Sequence, residues 1–249
     1  MNEIKMPAAD IFEKEGKLWA HCFNGPEGCF EEVELRKQRK SNCWVRRNTF
    51  DAGSLKDCRD NYSQINCNGK RVLDLGANIG GFSKLAHEQG ASLVVALEPC
   101  PYNHAILKKN SPYTQNLQAG AIPSEEDQEI NFYYTKSKRN SVSSSTVKRR
   151  NASNVSIKVP GLSFKKLLEK YKPQILKIDV EGAEYALLDS INEIPSYVEQ
   201  AAFEFHRSAQ PYASYPEKFF PVDEWESYEV ECKKMINTMR DITFIRKRV

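Results

Sequence analysis

One stretch of the chain limits the fold more than any other: residues 71–83, which read RVLDLGANIGGFS. An apolar run typical of a strand leads into a turn of small residues, and a helix pattern follows the turn. Gly76 and Gly80 lack the side chains that would keep a ligand away from the backbone. The stretch therefore predicts the first strand of a parallel sheet, with a nucleotide-like ligand bound at the turn.

The alternation of strand and helix continues along the chain, which is typical of a parallel sheet covered by helices. We predict strands over residues 71–75, 93–97, 116–122, 130–134, 155–159, 175–180, 198–205 and 242–245. We predict helices over residues 81–89, 102–109, 164–171, 183–191 and 222–239. Residues 137–154 are rich in Ser, Asn, Lys and Arg and are predicted to form a mobile loop.

These elements predict an α/β fold with a doubly wound, mostly parallel sheet and helices on both faces. The sheet occupies residues 69–249, and residues 1–68 form an N-terminal extension of short strands and one helix over 54–65, which packs on the core.

The chain has 249 residues, 40% of them hydrophobic, which is enough for a sizeable core. Its longest apolar run is too short to cross a bilayer, and residues 1–10 contain no apolar signal segment. We therefore predict a cytoplasmic protein without a membrane partner; the oligomeric state is not predicted.

Charge and cysteine content exclude some classes of site. Seven cysteines, an odd number with no C-x-x-C spacing, indicate neither a disulfide framework nor a standard zinc site. The net charge is only +3, but Lys and Arg cluster within residues 36–47, 136–150 and 246–248. Such clusters are usually solvated surface, although they leave open an anionic substrate or a nucleic acid. Residues 136–150 are predicted to act as a lid that meets an anionic part of the substrate.

The turn after the first strand indicates which cofactor it binds. Asn78 occupies the second glycine position of the dinucleotide pattern G-x-G-x-x-G, so a nicotinamide or flavin cofactor is disfavoured. The Asp74 carboxylate would repel a pyrophosphate but suits a cationic amino-acid group. Glu98 follows the second strand, where a carboxylate can accept hydrogen bonds from ribose hydroxyls. Together these residues indicate S-adenosylmethionine.

A second group of polar residues closes the strand predicted over 175–180. Lys177, Asp179 and Glu181 alternate along the chain, so they share one face while the strand persists. Asp179 falls at the carboxyl end of the strand, where ligands bind in open α/β sheets. Glu181 and Glu184 have an alternative role, because acidic residues are favourable in the first turn of a helix.

The pairing of residues 72–80 with residues 176–184 resembles the FkbM family of S-adenosylmethionine-dependent methyltransferases. Further segments are similar to motifs of that family: Arg47-x-x-x-Asp51, Glu98-Pro99-x-Pro101-x-Asn103, Ser143 to Ser145 and Glu204-Phe205-His206. The resemblance implies the class I methyltransferase fold and S-adenosylmethionine as cofactor. The cofactor-binding residues that it implies, together with the residue chemistry above, are Asp74, Gly76, Asn78, Gly80, Glu98, Asn103 and Asp179.

Methyl transfer to a hydroxyl requires a base, and the fifth-strand motif offers one. Glu204 and His206 are two residues apart on a strand and point the same way. We predict that His206 is the general base, that Glu204 orients it, and that Asp179 positions the acceptor hydroxyl. An alternative is that Asp179, Glu204 and His206 hold a divalent metal, for which Mg²⁺ would suit the oxygen ligands. The favoured interpretation has no metal.

The predicted function is O-methylation of a sugar, a glycan or another small hydroxylated metabolite, with or without an anionic group. The basic clusters favour one alternative, methylation of a nucleic-acid hydroxyl such as an RNA ribose or cap. Another alternative is an interaction protein that binds the cofactor without catalysis.

Overall fold

A computed structural model describes residues 6–25, 27–137, 144–148, 152–206, 218–230 and 239–246. Parts of the sequence predictions lie outside this description: Ser143, one of the seven cysteines (Cys232), residues 231–238 of the helix predicted over 222–239, and several Lys and Arg residues of the clusters within 136–150 and 246–248. The strands are β1 (Phe12–Lys14), β2 (Lys17–Asn24), β3 (Cys29–Lys37), β4 (Trp44–Arg46), β5 (Arg71–Leu75), β6 (Leu93–Leu97), β7 (Gln115–Leu117), β8 (Gly120–Ile122), β9 (Gln128–Thr135), β10 (Ala152–Ser163), β11 (Ile175–Ile178), β12 (Gln200–His206), β13 (Trp225–Val230) and β14 (Met239–Arg246). The helices are α1 (Asp51–Tyr62), α2 (Gly81–Glu88), α3 (Pro101–Asn110), α4 (Phe164–Tyr171) and α5 (Glu184–Asp189).

The central sheet has the strand order β13-β14-β12-β11-β5-β6-β7. The strands from β12 to β7 run parallel, whereas β14 runs antiparallel to both β12 and β13. The strand order reverses at β5, since β6 and β7 follow on one side while β11 and β12 lie on the other. The predicted doubly wound, mostly parallel α/β fold is therefore confirmed.

Helices cover both faces of this sheet because neighbouring residues of a strand point to opposite faces. On one face, Val72 of β5 packs with Tyr62 of α1 and Phe82 of α2. On the other face, Leu73 of the same strand packs with Leu168 of α4. Full burial of an apolar side chain of this size stabilises the fold by roughly 1.5–3 kcal/mol. The two apolar layers hold the carboxyl ends of the strands in fixed positions.

Local signals set the ends of the helices. Ser163 caps α4 as predicted, because its side chain accepts a hydrogen bond from the backbone nitrogen of Lys166. Gly80 adopts a left-handed conformation immediately before α2, and Gly90, with φ of +88°, follows that helix. A residue with a side chain rarely adopts these backbone angles.

Two smaller sheets flank the central one. Strands β1 to β4 form an antiparallel sheet in the segment predicted as the extension, and α1 follows it. The strand predicted over 116–122 is in fact two strands in different sheets: β7 joins the central sheet, while β8 pairs with β10. The loop predicted over 137–154 is wrong in part. Ser145 pairs with Tyr133 of β9 through two backbone hydrogen bonds, and β10 begins at Ala152.

The helix predicted over 222–239 is also wrong where the structure describes that range. Residues 225–230 form β13, which pairs antiparallel with β14 along its whole length. Trp225, which begins β13, is a residue type that favours strands and is buried against Phe220. Pairing with β14 therefore overrides the helix pattern, and the two strands complete the sheet at this edge.

Among the residues that the structure describes, no helix has the length and hydrophobicity that a membrane span requires.

Candidate active site

A cavity of about 260 Å³ lies at the carboxyl ends of β5, β6, β11 and β12. The turns after these strands line it from the sheet side, and α1 contributes residues from the N-terminal segment, among them Ser54 and Asp57. The cavity lies at the point where the strand order reverses, which is where ligands bind in open α/β sheets. The predicted cofactor site and the predicted catalytic strand ends therefore share one cavity.

The turn after β5 runs very close to the neighbouring strand. Gly76 has φ of +78°, and a Cβ atom at this position would lie 1.7 Å from the backbone oxygen of Asp179. The turn is also tied to β6, since the backbone nitrogens of Gly76 and Ala77 donate hydrogen bonds to the Leu97 oxygen at 3.0 and 2.9 Å. Gly76, which lines the cavity, is thus required by the contact between the two strand ends.

Glu98 lines the cavity directly after β6. Its carboxylate accepts hydrogen bonds from the backbone nitrogens of Asn78 and Cys100, at 2.8 and 2.9 Å. Burial raises the pKa of Glu98 to about 7, although these two backbone hydrogen bonds oppose the shift. Each carboxylate oxygen keeps further capacity to accept a hydrogen bond. The position and chemistry of Glu98 suit the role predicted for it, binding of ribose hydroxyls.

Asn103 and Asn78 also line the cavity. The Asn103 Nδ2 atom lies 3.5 Å from a Glu98 oxygen, and its Oδ1 accepts a hydrogen bond of 2.8 Å from Arg46. Asn78 donates from Nδ2 to Ser54 of α1 at 3.1 Å. Its Oδ1 atom is buried without a hydrogen-bond partner among the described residues, so it is free to accept one from a ligand.

Two residues predicted to bind the cofactor have other surroundings. Asp74 is fully buried; it accepts a hydrogen bond of 2.6 Å from Ser83, and its other oxygen lies 3.3 Å from Lys177 Nζ. It does not line the cavity, so the predicted contact with a cationic ligand group is corrected to an ion pair with Lys177. Gly80 faces α3, since a Cβ atom there would lie 2.9 Å from the Leu107 side chain. It shapes the start of α2 rather than the cavity wall.

Lys177, which the sequence placed only on a shared face, is a buried cation at the centre of the site. Its Nζ donates to the Gly76 oxygen at 2.8 Å and lies 3.5 Å from an Asp179 oxygen. Burial alone would lower the pKa of Lys177, but the negative charges of Asp74 and Asp179 raise it. The amine therefore stays charged and joins the cofactor turn to the end of β11.

Carboxylates gather on the other side of the cavity. Asp179, Glu181 and Glu204 all line it. Behind them, His206 contacts Glu184 through Nδ1, and its Nε2 lies 3.2 Å from Glu181 and 3.4 Å from Glu204. The sequence indicated Glu204 as the partner that orients His206. The structure instead gives the tight contact to Glu184, which the sequence could read only as a helix-capping residue.

The surroundings of His206 argue against the predicted role of general base. Burial alone would lower the pKa of His206, but the charges of Glu184 and Glu181 and their contacts with the ring raise it well above its usual value. A protonated imidazole cannot accept a proton from an acceptor hydroxyl. The side chain is also only 1% exposed and does not line the cavity.

The serine-rich segment forms part of the cavity wall, in contrast to the mobile loop predicted there. Ser144, Ser145 and Thr146 line the cavity. Ser145 donates from Oγ to the Glu181 backbone oxygen at 2.9 Å. These residues are therefore held against the carboxylates by the pairing with β9 and by this hydrogen bond.

Much of this chain matches a known protein family. A model of the FkbM methyltransferase domain matches residues 74–245, more than half of the chain. No curated protein matches the chain. One similar solved structure is magnesium protoporphyrin IX methyltransferase from Synechocystis with bound S-adenosylmethionine, at 10% identity and a TM-score of 0.47, covering 84% of this chain and 89% of that one. Another is a precorrin-6y methyltransferase from Geobacter metallireducens, at 10% identity and a TM-score of 0.46, covering 85% and 96%.

The match runs from the end of β5 through β14, so it includes the turn after β5, Glu98 and the carboxylates at the ends of β11 and β12. The resemblance therefore extends well beyond the two short motifs, from the end of β5 into β14. This chain belongs to the FkbM family of methyltransferases.

Proposed function

We propose that this protein transfers a methyl group from S-adenosylmethionine to a hydroxyl of a small hydroxylated metabolite, such as a sugar or a glycan. One observation supports the proposal above all. The cofactor turn and a cluster of carboxylates share one cavity, and Gly76 touches the backbone of Asp179. A hydroxyl that donates to these carboxylates lies next to the cofactor turn.

The residues of the first two strand ends fit the cofactor. Glu98 offers a carboxylate to ribose hydroxyls, and the buried Oδ1 of Asn78 offers an acceptor that no described residue uses. Gly76 lines the same cavity beside them. Bound here, S-adenosylmethionine would supply an electrophilic methyl group for an in-line displacement, a reaction that depends strongly on alignment.

Asp179 is the residue that we assign to remove the hydroxyl proton. Burial raises the pKa of Asp179, the Lys177 charge opposes this, and the Glu181 charge adds to it. A carboxylate whose pKa is moved towards neutrality is a better proton acceptor at physiological pH than an ordinary one. Glu204, which also lines the cavity, can fix a second hydroxyl of the acceptor by accepting its hydrogen bond.

The side of the cavity formed by Asp179, Glu181 and Glu204 is negatively charged. This charge favours a methyl acceptor that carries no negative charge near its reacting hydroxyl. Three carboxylates would repel a phosphate placed between them. The basic cluster of residues 36–47 also offers less positive surface than its sequence indicates. Arg46 is buried in an ion pair with Asp51, and Arg47 pairs with Glu34. These contacts weaken the case for a nucleic-acid acceptor.

The test is to incubate the protein with labelled S-adenosylmethionine and three kinds of acceptor: a panel of sugars and small polyols, an RNA oligonucleotide and a panel of amines. We expect label in a sugar or polyol, with the product heavier by one methyl group. Label only in RNA or only in amines would contradict the proposal. Binding of the cofactor without turnover on any acceptor would favour the non-catalytic alternative.

A further inference from the structure

The geometry points to a binding site for one divalent transition-metal ion, with Mn²⁺ as the probe, formed by Asp179, Glu181 and His206 at the cavity wall. One ligand atom from each of these residues lies within 4.8 Å of the others. Metal binding here is independent of the proposed function. Only the use of the ion to activate an acceptor hydroxyl rests on that function.

The distances between His206 and the neighbouring glutamates are close to those between two ligands of one metal ion. Two ligand atoms at right angles, each about 2.1 Å from a metal, are about 3.0 Å apart. Nε2 of His206 lies 3.2 Å from a Glu181 oxygen and 3.4 Å from a Glu204 oxygen. The Asp179 ligand atom lies within 4.8 Å of the other two, so this side chain, which is 25% exposed, must move towards them to bind the same ion.

The histidine has the arrangement that is usual for a metal ligand. Histidine ligands almost always donate from the other ring nitrogen to a carboxylate or carbonyl, which fixes the ring. Here Nδ1 contacts Glu184, a fully buried carboxylate that is itself held by the Gly182 backbone nitrogen at 3.1 Å. Nε2 is buried and faces the carboxylates, yet it completes no hydrogen bond of ordinary geometry within the described part of the chain. A metal would bind Nε2 in place of its proton, so binding of the ion releases a proton from the imidazolium.

The charges around the site also favour a cation. Four carboxylates surround His206 or line the adjacent wall: Asp179, Glu181, Glu184 and Glu204. The nearby lysine, Lys177, is shared between Asp179 and Asp74. The positive charges of His206 and of the shared Lys177 do not balance the four carboxylates, so the net charge of this group is negative. Buried negative charge is costly unless it is paired or binds a metal.

The donor set selects the kind of ion. Carboxylates suit Mg²⁺, Ca²⁺ and Mn²⁺, whereas imidazole suits Zn²⁺, Fe²⁺ and other transition metals. Two carboxylates with one imidazole therefore favour a first-row transition metal over the Mg²⁺ that an all-oxygen site would take. In the loaded site, one oxygen of Asp179 would be a ligand and the other would remain to accept the proton of a bound hydroxyl, whose pKa the positive charge would lower.

The test measures metal binding without catalysis. The full-length protein is treated with chelator and dialysed, and Mn²⁺ is titrated while free Mn²⁺ is followed by electron paramagnetic resonance. We expect about one ion per chain, with Mn²⁺ bound at least tenfold more tightly than Mg²⁺ in competition. Glu181→Gln and His206→Gln should each weaken binding by tenfold or more, and Glu184→Gln by roughly 10- to 100-fold.

Asp189→Asn is the matched control, because this exposed carboxylate ends α5 and forms a surface ion pair with Lys218. It should bind Mn²⁺ as the wild type does. If His206→Gln does not fold, Glu181→Gln decides the matter. The absence of saturable Mn²⁺ binding, or wild-type affinity in Glu181→Gln, would overturn the site. Cofactor affinity measured in the metal-free protein separates this failure from a failure of the proposed function.

Discussion

Arg46 and Asp51 form a two-point ion pair inside the protein, with Nε 2.9 Å from Oδ2 and Nη2 3.0 Å from Oδ1. Their side chains are 0% and 1% exposed. The same Nη2 donates to Asn103, whose amide nitrogen lies 3.5 Å from Glu98. A buried charge pair in the N-terminal segment is thus connected to the acid of the cofactor site.

Loss of this pair should cost stability. Asp51→Asn leaves the Arg46 charge buried without its counter-ion, and such changes cost about 3–5 kcal/mol of unfolding free energy. Urea unfolding followed by circular dichroism measures the change. Asp60→Asn is the control, because Asp60 pairs with Lys56 at the surface, where solvent screening makes the contribution of an ion pair to the unfolding free energy small. Equal changes in the two variants would contradict the structural role of the buried pair.

Cofactor affinity should depend on the ionisation of Glu98. The carboxylate accepts hydrogen bonds best when it is ionised, and its pKa is about 7 in the protein without ligand. We therefore expect the dissociation constant of S-adenosylmethionine to fall as the pH rises from 6 to 8. The change should approach tenfold per pH unit well below pH 7. Calorimetry at several pH values measures it.

Glu98→Gln should weaken cofactor binding by roughly 10- to 100-fold, the value of hydrogen bonds to a charged group. It should also remove the pH dependence, since the amide does not titrate. Glu126→Gln, at a surface carboxylate paired with Lys166, should retain both the affinity and its pH dependence. A wild-type pH profile in Glu98→Gln would show that another group titrates.

Gly76 and Gly69 allow backbone strain to be separated from the clash at the cofactor turn. Both have a positive φ, +78° for Gly76 and +71° for Gly69. A Cβ atom added at Gly76 would lie 1.7 Å from the Asp179 backbone oxygen, whereas a Cβ atom added at Gly69 would have no neighbour within 4 Å. Gly69→Ala should lose about 1–2 kcal/mol from backbone strain. Gly76→Ala should lose clearly more, because β5 and β11 must also move apart. Equal unfolding midpoints in the two variants would disprove the close contact.

Asp179→Asn should lower turnover by about 10²- to 10⁴-fold, the usual contribution of a positioned base. Asp189→Asn, at the exposed end of α5, should leave turnover unchanged. Rates at saturating cofactor, with the cofactor dissociation constant measured separately, distinguish lost chemistry from lost binding. Near-normal turnover in Asp179→Asn would remove this residue from proton transfer.

Local patterns were sufficient for much of the fold and for part of the site. The glycine turn, the cap at Ser163 and the acid at Glu98 each depend on a few neighbouring residues, so the sequence predicts them well. The sequence does not show which side chain of another strand or helix will lie next to a given residue. Asp74 appeared available to a ligand because Lys177, its partner, belongs to another strand. His206 appeared to be a free base for the same reason, since Glu184 reaches it from α5.

The helix predicted over 222–239 failed through long-range pairing, because β13 is held as a strand by β14. The sequence also does not indicate the role of Arg46, although its partner Asp51 belongs to a segment that resembles a family motif. A buried arginine is visible only when its surroundings are known. Sequence patterns thus predicted most of the elements from β5 to β12, whereas contacts between elements determined which charges are available to a ligand.

The contact of Lys177 with the Gly76 carbonyl spans 101 positions of the chain. Parallel pairing of β5 with β11 closes a loop of similar length, and loops of this kind slow folding because their entropy is lost before the contacts are gained. The cavity has no complete wall until that loop has closed. In a refolding time course, the ability to capture the cofactor should therefore arise after most of the helical signal, and a chain halted before that step would present its strand ends to solvent and to other chains.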